Sequence, residues 1–165
     1  MRVGNVWVSV LWPIPSMDPN RSSGNNDSVV LRLQFGDRSI LLTGDIEASA
    51  ENGILEAAGN PRENLKADIV KVAHHGSKSS SIEGFIAATR PSFAVISVGQ
   101  TSVFGHPNPA VVERWQTFGS QVLTTGHSGT ITVITDGTDL KVATFITAGG
   151  DGSRSQPPWT PVTVR

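Results

Sequence analysis

Short apolar runs alternate with longer amphipathic segments along most of the chain. Runs rich in Val, Ile, Leu and Thr, of four to eight residues, are typical of strands, and apolar residues at helical spacing are typical of helices. The pattern predicts strands at residues 6–11, 29–35, 39–43, 67–72, 92–98, 122–125, 130–135 and 141–146. It predicts helices at residues 46–58, 83–88 and 109–118.

Turn and capping residues set the limits of these elements. The short polar gap around Gly36-Asp37 predicts a β-hairpin between the second and third strands. The serines at 79–81 can cap the second helix, and Asn108-Pro109 can open the third. Strands that alternate with helices, together with one antiparallel hairpin, indicate an α/β layered fold.

A chain of 165 residues is the size of one domain. We assign residues 1–147 to that domain and predict a flexible tail at 148–165, because this stretch is rich in Gly, Ser and Pro. A net charge of -1 excludes a global positive field for a polyanion, so any contact with nucleic acid must be local. The absence of cysteine excludes disulfides and thiolate metal sites. Every apolar run is far shorter than the ~20 residues of a membrane-spanning helix, so no membrane segment is predicted.

Candidate chemistry follows two of the apolar runs. Asp45 comes after the third strand, where it either caps the following helix or offers its two oxygens to a metal. His74-His75 follow the fourth strand, and two adjacent imidazoles are hard to place in a core because both need polar partners. Side chains of adjacent residues point in different directions, so one imidazole can hold a metal while the other faces a substrate. Gly76 allows close approach of a ligand.

Weaker candidates lie elsewhere. Asn26 and Ser28 belong to a polar turn before the second strand. His106 precedes the third helix and becomes functional only if its turn lies beside His75. His127 is predicted to occupy a hairpin turn without a functional role.

Five segments, read in order, resemble the metallo-β-lactamase-like domain of ComEC-type competence (DNA-uptake) proteins. The resemblance runs from about residue 6 to 136. It implies an αββα sandwich, represented here largely by its carboxyl-terminal αβ half, with a mixed β-sheet and helices on one face. The segments are Asn-Asn-Asp-Ser at 25–28, Leu-Leu-Thr-Gly-Asp at 41–45, Lys-Val-Ala-His-His-Gly-Ser at 71–77, Ser-Val-Gly at 97–99 and Gly-His-Pro at 105–107.

The resemblance also implies residue roles. Asp45 and His75 are expected to bind a divalent metal, zinc or manganese, and His74 is expected to contact the substrate or stabilise the transition state. The assignments of His74 and His75 are interchangeable at this stage. His106 is a second catalytic candidate. Ser77, Lys78, Asn26 and Ser28 are candidates for binding substrate.

The superfamily's main ligand motif, His-x-His-x-Asp-His, is absent from this chain. Metal binding by the chain alone is therefore expected to be weak or absent, because a catalytic zinc takes three protein ligands. Three explanations remain open. The missing ligands lie on an amino-terminal half not present here, or a second chain, such as another copy in a homodimer, completes the site, or the chain is an inactive remnant.

Two functions follow from these expectations. The first is a fragment of a metal-dependent hydrolase that cleaves a phosphodiester, with DNA as substrate, and is inactive alone. Its parent domain would be bacterial, extracytoplasmic and next to the membrane. The second is a non-catalytic binding or assembly module.

Overall fold

Ten strands and four helices form the part of the chain described by a computed structural model, which covers residues 1–14, 24–59 and 65–146 and the backbone of Val162–Val164. The strands are β1 (Arg2–Val3), β2 (Val6–Trp12), β3 (Val30–Phe35), β4 (Arg38–Leu42), β5 (Ile69–Lys71), β6 (Phe93–Ile96), β7 (Gln121–Thr124), β8 (Ile131–Thr135), β9 (Leu140–Thr144) and β10 (Val162–Val164). The helices are α1 (Ala48–Ala58), α2 (Glu83–Thr89), α3 (Pro109–Thr117) and α4 (Thr125–Ser128). None of the helices in these ranges is long and apolar enough to cross a bilayer.

The strands form two sheets. The larger has seven strands in the order β1-β2-β3-β4-β5-β6-β7, and the smaller has three in the order β10-β9-β8. In the larger sheet β1 to β4 pair antiparallel, whereas β4 to β7 run parallel. The predicted hairpin is confirmed: Phe35 pairs with Arg38 and Leu31 with Leu42 across the Gly36-Asp37 turn.

Apolar side chains on the two faces of the larger sheet enter two separate cores. One face carries Leu41, Val70 and Ala94, and it packs against buried residues of α1, α2 and α3. The opposite face carries Ile69 and Phe93, which pack against the smaller sheet. The chain is therefore a mixed α/β protein with a mixed sheet and three helices on one of its faces, as the sequence predicted.

Some expectations differ from the structure. β1 was not anticipated from the sequence. Within the segment assigned to the tail, Val162–Val164 pairs antiparallel with β9, while the rest of that segment lies outside the described residues. His127 does not sit in a hairpin turn, because α4 connects β7 to β8, strands of different sheets.

The amino-terminal end of α2 is held by a buried carboxylate instead of the predicted serine cap. Glu51 of α1 is fully buried, and its two oxygens accept hydrogen bonds from the backbone amides of Ser81 (2.7 Å) and Ile82 (2.8 Å). Ser81 also accepts bonds from Arg114 and from the Trp115 indole. One serine thus ties α1, α2 and α3 together.

Burial raises the pKa of Glu51 to about 6 from 4.5, against the opposing influence of the two amide donors and Arg114. The folded protein therefore binds more protons at this carboxyl than the unfolded chain does, so its contribution to stability is full below pH 4.5 and is lost as pH rises through 6. Over this interval we expect the free energy of unfolding of the wild type, relative to Glu51→Gln, to fall by about 2 kcal/mol. Urea unfolding at a series of pH values measures it.

The difference between the two proteins isolates Glu51, since every other titrating group is shared. Glu113→Gln, at an exposed position of α3, is the matched control and should show no such trend. If the free energy of unfolding of the wild type, relative to Glu51→Gln, stays constant or grows as pH rises, ionisation of Glu51 does not destabilise the fold.

Candidate functional site

The two sequence motifs meet at one edge of the larger sheet. β4 and β5 are parallel neighbours with Leu42 paired to Lys71, so the residues that follow each strand emerge on the same side. The backbone amide of His74 donates to the carbonyl of Gly44 at 3.2 Å and fixes one motif against the other.

Asp45 and His75 converge. The Oδ1 atom of Asp45 lies 3.7 Å from Nε2 of His75, and both side chains are more than two-fifths exposed to solvent. The other ring nitrogen of His75, Nδ1, lies 2.6 Å from the carbonyl oxygen of Ser97. Because a carbonyl can only accept, Nδ1 carries a proton, and Nε2 is the ring nitrogen that faces Asp45. This is the orienting bond that typically positions a metal-binding imidazole.

Lys71 is a third member of this cluster that the sequence reasoning did not single out. Its Nζ atom donates to the carbonyl oxygen of Gly44 at 2.8 Å and lies 3.4 Å from Oδ1 of Asp45. The ammonium group therefore partly neutralises the carboxylate. The available signal was a lysine inside the apolar run Val70–Val72, where burial of a charge requires a partner.

His74 contacts a separate set of polar side chains. Its Nδ1 atom lies 3.4 Å from Oε1 of Glu47 and 3.4 Å from the hydroxyl of Ser79, and its Nε2 atom lies 3.4 Å from the amide nitrogen of Asn25. Ser79 in turn donates to Glu47 at 2.9 Å. The two adjacent histidines thus serve different partners, as predicted from their neighbouring positions.

His106 lies beside His74. The two ring centroids are 5.8 Å apart in an edge-on arrangement. Partial burial lowers the pKa of His106 below its ordinary value, and the neighbouring His74 and His75 lower this pKa further. The structure thus brings this third histidine to the site.

The backbone carrying the histidines adopts left-handed conformations at three successive residues. The φ angles are 48° at His74, 54° at His75 and 78° at Gly76. Such angles cost a non-glycine residue about 1–3 kcal/mol and occur where a surrounding structure enforces them, often at functional sites. Here the carbonyl of Gly76 accepts the backbone amide of Asn108 at 2.8 Å, and Pro107 packs directly on Gly76.

Asn26 and Ser28 support the loop that carries the acidic residues. The Ser28 hydroxyl accepts the backbone amide of Asp45 (3.1 Å), and Oδ1 of Asn26 accepts that of Glu47 (2.8 Å). A substrate-binding role for these two residues stays a prediction. Asp45 is not a helix cap, because α1 begins at Ala48 with Glu47 at the capping position.

Ser77 and Lys78 occupy different environments. Ser77 is buried and its hydroxyl lies 3.0 Å from that of Ser79. Lys78 is exposed and lines an open depression together with Ser79 and Arg114. Of the two, Lys78 is the one available to an anionic ligand, and the assignment of both to substrate binding stays a prediction.

The chemistry and orientation of Asp45 and His75 suit a divalent cation, but two ligands do not make a site. Among the described residues no group of three or more His, Cys, Asp or Glu side chains is arranged to hold a metal. A catalytic zinc takes three protein ligands, and Asp45 and His75 provide two of them.

The chain is similar in sequence to parts of several much longer bacterial proteins. It is 41% identical over 113 residues to ComE operon protein 3 of Bacillus subtilis, 35% identical over 107 residues to competence protein ComA of Neisseria gonorrhoeae, and 37% identical over 109 residues to recombination protein 2 of Haemophilus influenzae. These matches cover 68%, 65% and 66% of the chain. No protein-family profile matches it.

The chain spans about a seventh of the length of these relatives: the matched segments are 14%, 15% and 13% of them. The similarity supports a competence-related family.

Proposed function

We propose that this chain is part of a competence protein and contributes half of a hydrolytic site that cleaves phosphodiester bonds of DNA during uptake. The observation that carries the proposal is the 3.7 Å convergence of Asp45 Oδ1 and His75 Nε2, with His75 oriented by Ser97. The names of the relatives support the competence role. The resemblance to metallo-β-lactamase-like domains supports the chemistry.

The side chains on this chain have complementary tasks. Asp45 and His75 direct one carboxylate oxygen and one imidazole nitrogen at a shared point that is open to solvent, and together they would supply two of the ligands of a cation there. Lys71 reduces the negative charge of Asp45, which would otherwise repel a phosphate. Lys78 offers an exposed positive charge to the non-bridging oxygens. His74, held by Glu47 and Ser79, presents an imidazole beside them.

Completion of the site requires ligands beyond Asp45 and His75, because the described residues contain no group of three that could hold a metal. A divalent metal held by Asp45, His75 and such further ligands would supply a hydroxide at neutral pH and would neutralise charge on the phosphate. We propose that a preceding segment of the natural protein, or a partner chain, provides these ligands. The chain alone is then expected to bind metal weakly and to hydrolyse DNA at a negligible rate.

A non-catalytic assembly role is a second candidate, favoured by a different observation. Val10 is 58% exposed and Leu42 is 37% exposed. By the strand register, both lie on the face of the larger sheet that the smaller sheet covers at Ile40. An apolar face that continues beyond its cover is typical of a surface that binds another protein segment.

The function is tested by replacing the matching region of the gonococcal competence protein ComA with this chain. We expect the chimera to degrade labelled DNA, and His75→Ala in the chimera to lower the rate about 100-fold, because an oriented metal ligand is removed. Release of acid-soluble nucleotides measures the rate, and transformation frequency measures the biological consequence.

Asp37→Asn is the matched control, because Asp37 is an exposed residue of the β3–β4 turn. Immunoblots of the chimeras verify equal protein levels. Equal degradation by the wild-type and His75→Ala chimeras would remove the catalytic assignment and leave the assembly role.

A further inference from the structure

Two exposed apolar side chains near the site, Val103 and Phe104, have no role in the proposed hydrolysis. Val103 and Phe104 are 93% and 81% exposed, the highest values among the large apolar side chains in the described part of the chain. A phenyl ring so exposed adds little to the stability of the fold, because it is not buried. Such a ring beside a polar site indicates a binding role when it is held in a defined position.

Phe104 is held in such a position. Its ring stacks on that of His106, with the centroids 6.2 Å apart and the planes inclined by 28°. The hydroxyl of Ser102 accepts the backbone amides of Phe104 and His106, each at 3.3 Å. The loop is thus braced internally, and its far end is fixed to the histidine segment through Pro107 and Asn108.

The rings form a short path into the site. Phe104 contacts His106, and His106 contacts His74. On its other side His74 contacts Ser79, which lines the depression that contains Lys78, Arg114 and Glu83. The His74 imidazole therefore touches both an aromatic surface and a depression lined by two cationic side chains and one anionic side chain.

We propose that Phe104 is a stacking platform for an unpaired nucleobase, so that the ligand of this site is single-stranded nucleic acid. This inference rests on the proposed function. Proteins that bind single strands without sequence preference combine cationic tracks for the backbone with exposed aromatic rings for the bases. A base inside a duplex is stacked on both faces and has none to offer Phe104, so the platform favours a single strand over the interior of a double strand.

The test measures binding of the intact chain to a fluorescein-labelled oligothymidylate by fluorescence anisotropy, at fixed low salt and with EDTA present. We expect Phe104→Ala to raise the Kd about 5- to 100-fold, and Phe104→Trp to retain or improve the affinity. An abasic strand of equal length, which keeps the phosphates, should bind more weakly and equally to wild type and Phe104→Ala.

Phe145→Ala is the matched control, since Phe145 is another exposed phenyl ring (59%) outside this cluster. Three results overturn the proposal: no loss of affinity in Phe104→Ala, an equal loss for the abasic strand, or no binding by the wild type. The first is the result expected if a protein segment covers Phe104. Since the assay needs neither metal nor hydrolysis, its outcome is independent of whether the site cleaves DNA.

Discussion

Trp115→Ala is expected to lower the free energy of unfolding by about 3–5 kcal/mol, the range found when a buried tryptophan is truncated. Trp115 is 1% exposed and belongs to the core between the larger sheet and the helices. Its indole nitrogen also donates to the hydroxyl of Ser81 at 3.1 Å. The substitution therefore opens a cavity and removes a bond from the serine that ties three helices together. Urea unfolding of the wild type and the variant measures the loss, provided that the two proteins have the same m-value.

Two further variants separate the contributions. Trp115→Phe keeps much of the ring volume but not the N–H donor, so we expect a smaller cost of about 1–2 kcal/mol. Phe118→Ala removes a ring that is 40% exposed at the end of the same helix, and its cost should be below about 1 kcal/mol. A cost for Trp115→Ala no greater than that of Phe118→Ala would contradict this account of the core.

Gly76→Ala is expected to lower the free energy of unfolding by about 2–6 kcal/mol through two separate effects. The φ angle of +78° strains any residue with a Cβ atom, at about 1–3 kcal/mol. The added Cβ would also lie 2.8 Å from Cβ and 3.2 Å from Cα of Pro107, and the overlap costs a further 1–3 kcal/mol or so. We expect His106 and Pro107 to move away from His74 and His75 to relieve that overlap. Urea unfolding gives the total cost.

Gly119→Ala separates the two effects, because Gly119 also has a positive φ (+90°) but no atom within 4 Å of an added Cβ. We expect it to cost only the strain. Fluorescence anisotropy with the single-stranded probe gives a second readout: Gly76→Ala should weaken binding, and Gly119→Ala should not. Equal costs for the two variants would show that the contact of Gly76 with Pro107 does not hold the site together.

Local sequence predicted most of the secondary structure. The apolar run at 29–35 and the run at 39–43 became β3 and β4, and the predicted helix at 109–118 is α3 at Pro109–Thr117, with Asn108 accepting the amide of Ala110 at 3.0 Å. These features depend on residues near one another in the chain. For the same reason, the prediction of a serine cap for α2 was wrong: the capping carboxylate belongs to Glu51, about thirty residues earlier.

The sequence by itself determined that the chain is α/β, that Asp45 and the His74-His75 pair follow apolar strands, and that the motif His-x-His-x-Asp-His is absent from it. Only the tertiary structure decided that Asp45 faces His75 and not His74, that Lys71 neutralises the carboxylate, and that Phe104 stacks on His106. The physical reason is the separation along the chain of the residues that interact. Strand and helix preferences arise from neighbouring residues, whereas these contacts depend on parallel pairing of β4 with β5 and on three left-handed backbone residues that turn each imidazole to its own partners.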